Sequence, residues 1–277
     1  MLKILGKIDL NNIEKPTSKK LEFFKPLLDD FSRKMAEKIN TEFGYFLKPN
    51  GQIDVSTYNL PDKEADARLV AVKEGVWASE CGQTLAAWQQ KKEGGDSNIS
   101  EMAVTAVLYK CLQDRFLVAR STTHDDYENG FDNLIIDKQS GAVVCGFDEV
   151  VGVSGYSEKK DDKLLRKAMR GGASVKYGAT IKNGQLVRES LKNVPAFYLA
   201  LSKPEISELL ENFSDTSITK VELSILNKFI VSLEEQMVNL ENRQVIQNDN
   251  LKNNLMKFKE SLEVIKNIKN DLNKNYE

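Results

Sequence analysis

The stretch from His124 to Val150, HDDYENGFDNLIIDKQSGAVVCGFDEV, constrains the fold most, because it reads as a β-hairpin with acids at its open end. Phe131 to Ile136 and Ala142 to Phe147 are short runs rich in β-branched and aromatic residues. The turn-forming Asp137-Lys138-Gln139-Ser140-Gly141 joins them. Folding the hairpin brings Asp148 and Glu149 back to the level of Asp132, and Asp125, Asp126 and Glu128 stand just before the first strand. Six carboxylates then meet at one end of one sheet. Like charges held that close, away from water, are tolerated only with raised pKa values or with a cation between them. A divalent metal site is the simplest resolution, with Asp126, Asp132, Asp148 and Glu149 as its candidate ligands. The choice between Asp148 and Glu149 depends on register: a four-residue loop sets Asp132 opposite Phe147, and a five-residue loop sets it opposite Asp148.

The elements around the hairpin follow from apolar spacing. Leu21, Phe24, Leu28, Phe31, Met35 and Ile39 predict an amphipathic helix over Ser18 to Phe43, with Pro26 restarting it near its first turns. Tyr45-Phe46-Leu47 and Ile53-Asp54-Val55 flank an Asn50-Gly51 turn. Glu64 to about Gln90 is expected to be helical, Lys91 to Asn98 a polar connector, and Ser100 to Leu112 a helix. Phe116 to Arg120 reads as a strand. After the hairpin come a loop from Gly152 to Asp161, a basic helix over Lys163 to Arg170 ended by Gly171-Gly172, a strand over Ala173 to Gly178, and a last strand over Pro195 to Leu201.

Helix, three strands, helix, strand, with one acid opening the second strand and an acidic pair ending the third, resembles the PD-(D/E)xK nuclease superfamily. The wider phrase DDYENGFDNLIID…VVCGFDEV is similar to a bacterial branch of it. The resemblance covers roughly Ser100 to Leu201 and implies a restriction-endonuclease-like αβββαβ core. It also implies Mg²⁺- or Mn²⁺-dependent hydrolysis of phosphodiester bonds in nucleic acid, DNA or RNA, with Asp132 and Asp148 or Glu149 on the metal and Glu101 as the helix acid. The pattern then calls for a Lys two residues beyond the third-strand acid, where this chain has Val150 and Val151. If the basic helix is a right-handed crossover, the strand after it runs parallel to the third, and Lys176 is expected to supply the missing cation, with Lys159 and Lys160 as rivals. The alternative is a nuclease fold without catalysis, acting as a binding module through its C-terminal helices.

Other residues carry weaker signals. His124, the one histidine, suits a general base or phosphate contact less well than an exposed loop position. Lys163, Arg166, Lys167 and Arg170 suit a phosphate backbone or a solvated face equally. Cys81, Cys111 and Cys145 lack paired spacing and read as buried apolar residues rather than disulfides or zinc ligands. No run approaches the ~18 apolar residues of a membrane span, and Met1 to Leu5 is too short for a signal segment, so a cytoplasmic protein is expected. A net charge of −2 argues against a nucleic-acid coat but leaves room for a local basic groove.

Beyond Ser214, Leu226, Ile230, Leu233, Met237 and Leu240 form one heptad block, and Leu251, Leu255, Phe258, Leu262 and Ile265 form another. The break between them marks either a stutter in one helix or an antiparallel helical hairpin. So narrow a stripe needs a covering surface, with self-association or a protein partner expected. The chain accordingly divides into a helical elaboration (1–98), a nuclease-like core (99–213) and a coiled-coil arm (214–277).

Overall fold

The computed structural model describes residues 23–151, 158–244 and 246–274, with 158–161 described as backbone only. Met1 to Asn12, the start of the expected first helix at Ser18, and the side chains of Lys159 and Lys160 lie outside the described residues.

The hairpin forms where the alternation places it. β2 (Asn133–Asp137) and β3 (Val143–Val151) run antiparallel. At the turn the Asp137 N–H donates to the Ala142 carbonyl and the Gly141 N–H to that of Asp137. Gly141 has φ +71°, and any side chain there would strike the Ile181 carbonyl. Near the turn Ile136 faces Val143, the four-residue register. A β-bulge between Ile135 and Ile136 then adds one residue, so that Asn133 faces Phe147, while Asp132, just before the strand, places its N–H on the Phe147 carbonyl.

β1 (Phe116–Arg120) pairs antiparallel with β2, and β6 (Ala196–Leu201) pairs parallel with β3, giving the order β1-β2-β3-β6. β4 (Ala173–Lys182) and β5 (Gln185–Val194) turn at Asn183-Gly184, both at positive φ, and form a separate two-stranded sheet. The expectation that Ala173 to Gly178 lies beside the third strand is thereby corrected, since β6 takes that place. The composition explains why. β6 is AFYLAL, almost wholly apolar, as a strand covered on both faces must be, whereas β4 buries Val175, Tyr177 and Ile181 while exposing Ser174 and Lys182.

Helices surround the sheet: α1 (Lys25–Phe43), α2 (Lys63–Glu80), α3 (Leu85–Glu93), α4 (Asp96–Leu112), α5 (Thr123–Asn129), α6 (Glu158–Met169), α7 (Lys203–Glu211), α8 (Lys220–Asn242) and α9 (Asp249–Lys274). Pro26 falls in the first turn of α1, where its missing N–H costs nothing. The helix expected over Glu64 to Gln90 is two, broken at Gly82, whose φ is +65°. α5 lies in what read as an acidic approach to the strand. α4 is buried along its length from Met102, and its Lys110 ammonium is held by the Glu222 carboxylate and the Ser214 and Ser217 carbonyls. Of the three cysteines, Cys111 and Cys145 are buried as expected, while Cys81 is exposed at the end of α2.

The two heptad blocks are α8 and α9. Glu241 pairs with Lys259 and Glu234 with Lys266, so the numbering falls on one helix as it rises on the other and the helices are antiparallel. Their stripe packs on the chain's own sheet, with Phe229 5.0 Å from Phe147 and Phe258 stacked 4.5 Å from Phe197. Burying each such side chain is worth about 2 kcal/mol, so the apolar requirement that suggested a second chain is met internally. A single apolar cluster runs through residues of 1–98, 99–213 and 214–277. No described helix is long and apolar enough to cross a membrane.

Candidate functional site

A cavity of about 580 Å³ opens at the end of the sheet where β2 begins and β3 finishes, walled by α2, α3, α4 and α5. Among the described residues, seven carboxylates and two cations, Lys92 and Arg120, line it. Five of the acids come from the sheet and the helices nearest it: Glu101 from α4, Asp126 from α5, Asp132 before β2, and Asp148 and Glu149 from β3. All five are residues that the sequence singled out.

Backbone geometry fixes the centre of the cluster. The Asp132 N–H donates to the Phe147 carbonyl, and the Glu149 N–H donates to Asp132 Oδ2 at 2.6 Å, which clamps Asp132 against the end of β3. Glu149 Oε1 accepts from Asn133 Nδ2 at 2.7 Å, and Asn133 Oδ1 accepts from the Thr105 hydroxyl of α4 at 2.8 Å. Glu149 Oε2 is buried without a donor among the described residues. The structure does not choose between Asp148 and Glu149: both line the cavity with Asp132, and it is the Glu149 N–H that bonds the Asp132 carboxylate.

Three of the carboxyls in the cavity, Asp132, Glu149 and Asp126, have raised pKa values. Burial, then Glu101 and Asp148, push Asp132 well above the carboxylate range. Burial, then Asp132, does the same to Glu149. Asp126 is pushed up to about 6 by burial, with Glu101 and Asp148 adding to it against the opposing pull of Lys92. Glu101 is held by Arg120, whose guanidinium also donates to Asn98 Oδ1, each at 2.8 Å.

Lys176 does not reach this cluster. Its ammonium sits on Asp66 of α2, 2.6 Å away, and its N–H donates to Asp125. This corrects the expectation that it points into the Asp132 cluster, and the cause is the displacement of β4 from the main sheet. Asp125 likewise faces away from the cavity, buried and accepting from Thr122, Asn129 and the N–H groups of Lys176 and Tyr177. His124 is in the first turn of α5 rather than in an exposed loop, 3.3 Å from Asp66 and edge-on to Tyr177. On α6, Lys163 and Lys167 border a crevice that Asp148 also lines, and the Lys167 ammonium donates to the Gly130 carbonyl and lies over the Phe131 ring. Arg166 is exposed beside Asp162.

Nothing in the sequence announces the aromatic part of the cavity wall, on α2 and α3. Trp77 and Trp88 are eleven positions apart, about three helical turns, and read as one packing face of one helix. The break at Gly82 folds α3 back and brings the two rings to 6.0 Å, with Tyr127 edge-on to Trp77 and Lys92 over Tyr127.

No three Asp, Glu, His or Cys side chains among the described residues form a ready-made metal cage. The donors are hard oxygens without sulfur or imidazole. That suits an ion such as Mg²⁺, which takes one or two carboxylates and keeps its other positions for water and phosphate oxygens. No family model, curated protein or solved structure matches the chain.

Proposed function

We propose that this cavity is the active site of a Mg²⁺- or Mn²⁺-dependent phosphodiesterase acting on nucleic acid. One observation carries the reading: the β-bulge and the clamp on Asp132 gather Asp132, Asp148 and Glu149 at one sheet end, leaving Glu149 Oε2 buried without a donor among the described residues. A protein gains nothing in stability from such an arrangement, so a cation is its simplest purpose. The order α4, β1, β2, β3, α6, β6, with β6 parallel to β3, supports a restriction-endonuclease-like core, the α5 helix and the β4-β5 hairpin being additions.

One or two of the carboxylates Asp132, Asp148 and Glu149 would hold the ion, water and phosphate oxygens filling its other positions, with Asp126 and Glu101 at its margin. Once bound, such an ion polarises a phosphate oxygen and lowers the pKa of a coordinated water. Glu101 is oriented by its ion pair with Arg120. Lys163 and Lys167, beside Asp148, are better placed than Lys176 to meet a phosphate backbone.

A second reading, a nuclease fold that binds without cleaving, is favoured by Val150 and Val151 at the family's lysine position and by the engagement of Lys176 with Asp66. Cleavage of DNA and RNA in Mg²⁺ or Mn²⁺ separates the two. The phosphodiesterase reading predicts turnover that falls on the order of 100-fold or more in Asp132→Asn and persists in Lys176→Met. Binding without turnover in the wild type supports the second reading.

A further inference from the structure

The α2–α3 side of the cavity is aromatic, with Glu74 among its residues, accepting from the Tyr127 hydroxyl at 2.6 Å and lying 3.8 Å from the Lys92 ammonium. Trp77 and Trp88 lie 6.0 Å apart at 39°, Tyr127 meets Trp77 edge-on at 4.7 Å, and the Lys92 ammonium is 4.4 Å from the Tyr127 ring centre and 5.8 Å from that of Trp88. Core packing does not account for this wall. α3 has no fully buried residue, and both indoles are only partly covered while lining the cavity. Consecutive residues of α5 join wall to acids, since Tyr127 belongs to the first and Asp126 to the second.

Aromatic faces beside a cation are what stack nucleobases, and every base presents a π-face to them. The volume, about 580 Å³, is in the range that encloses one small ligand. A base inside a duplex is already stacked on both sides and would have to leave the helix to reach such a wall. We infer that the cavity takes an unpaired nucleotide, its base against Trp88 and Trp77 and its phosphate toward the carboxylates, so that the substrate is single-stranded nucleic acid or a frayed end. The placement of the phosphate rests on the phosphodiesterase reading. The base wall rests on the aromatic geometry alone.

The chain has two tryptophans, both in this wall, so its tryptophan fluorescence reports the cavity and nothing else. The probe is a short oligothymidylate titrated in Ca²⁺. It is compared with the same strand annealed to oligoadenylate and with an abasic strand carrying the same phosphates. The inference predicts saturable quenching by the single strand and at least about tenfold weaker binding of the duplex and the abasic strand. Trp88→Ala is expected to weaken single-strand binding roughly 5- to 150-fold, with Trp88→Phe restoring most of it. Equal binding of abasic and normal strands by the wild type would overturn the inference whatever the variants do. So would Trp88→Ala binding normally with an unchanged circular dichroism spectrum. Cleavage in Mg²⁺, read separately, distinguishes the two claims. Quenching without cleavage removes the phosphodiesterase and leaves the base wall, whereas cleavage of duplex and single strand alike, indifferent to Trp88→Ala, removes the base wall and leaves the phosphodiesterase.

Discussion

Asp125 and Asp126 are neighbours on α5 and belong to opposite electrostatic worlds. Asp125 is fully buried and accepts from the Thr122 hydroxyl, the Asn129 amide and two backbone N–H groups of β4. Close by, Asp66 takes the Lys176 ammonium, the Tyr177 hydroxyl and His124, and its pKa is lowered despite burial. Across the helix, Asp126 faces Glu101 and Asp148 and is pushed up to about 6. Burial alone therefore does not set the direction of the shift. The neighbours do: the Asp125 side ties α2, α5 and β4 together, while on the other side Glu101 and Asp148 add to the effect of burial on Asp126.

The contrast is broken most forcefully at Asp125. Asp125→Ala leaves the N–H groups of Lys176 and Tyr177 without their acceptor in the interior and is expected to cost about 3–5 kcal/mol in urea denaturation. A loss under about 1 kcal/mol would mean that Asp125 is not the anchor of β4.

A smaller effect of opposite sign is expected at Asp126. Its folded pKa of about 6 is above the 3.8 of the unfolded chain, so the native state binds the proton more tightly. Stability from this group is therefore lost as pH rises from about 4 to about 6 and stays lost above, by at most ~3 kcal/mol. Asp126→Asn should remove that slope and be more stable than wild type at pH 7. Asp66, with a lowered pKa, acts in the other direction, its contribution present above 3.8 and lost as acid protonates it. The contribution of His124, with a raised pKa, is complete below 6.5 and disappears as pH climbs through its folded value. Thermal melts of wild type and Asp126→Asn from pH 4 to pH 7 compare the two sides. Parallel curves would contradict the assignment.

The acidic side is legible in the sequence because hairpin alternation and turn chemistry are local. Asp132, Asp148 and Glu149 need only the return of one strand beside another, and the one-residue choice of register is made by a bulge that no turn residue announces. The structural side is not legible. Lys176 reaches the acids only if the strand after the crossover helix joins the sheet, and the longer-range competition between β4 and β6 for the edge of β3 reverses that. The aromatic wall is hidden for a similar reason, since Trp77 and Trp88 keep helical spacing and only the break at Gly82 turns them toward each other. The C-terminal stripe shows its period but not its covering surface, which is the chain's own sheet.

The central claim, that the Asp126 side is built for a cation, is tested most directly by calorimetric titration of Mn²⁺ into wild type and Asp132→Asn at pH 7. The amide oxygen of the substituted side chain can still accept the Glu149 N–H, so the variant keeps the clamp and loses the charge. The account predicts saturable binding to wild type with release of protons, seen as a heat that changes with the ionisation enthalpy of the buffer, and binding at least about tenfold weaker in the variant. Equal heats from the two proteins, or none from wild type, would contradict it.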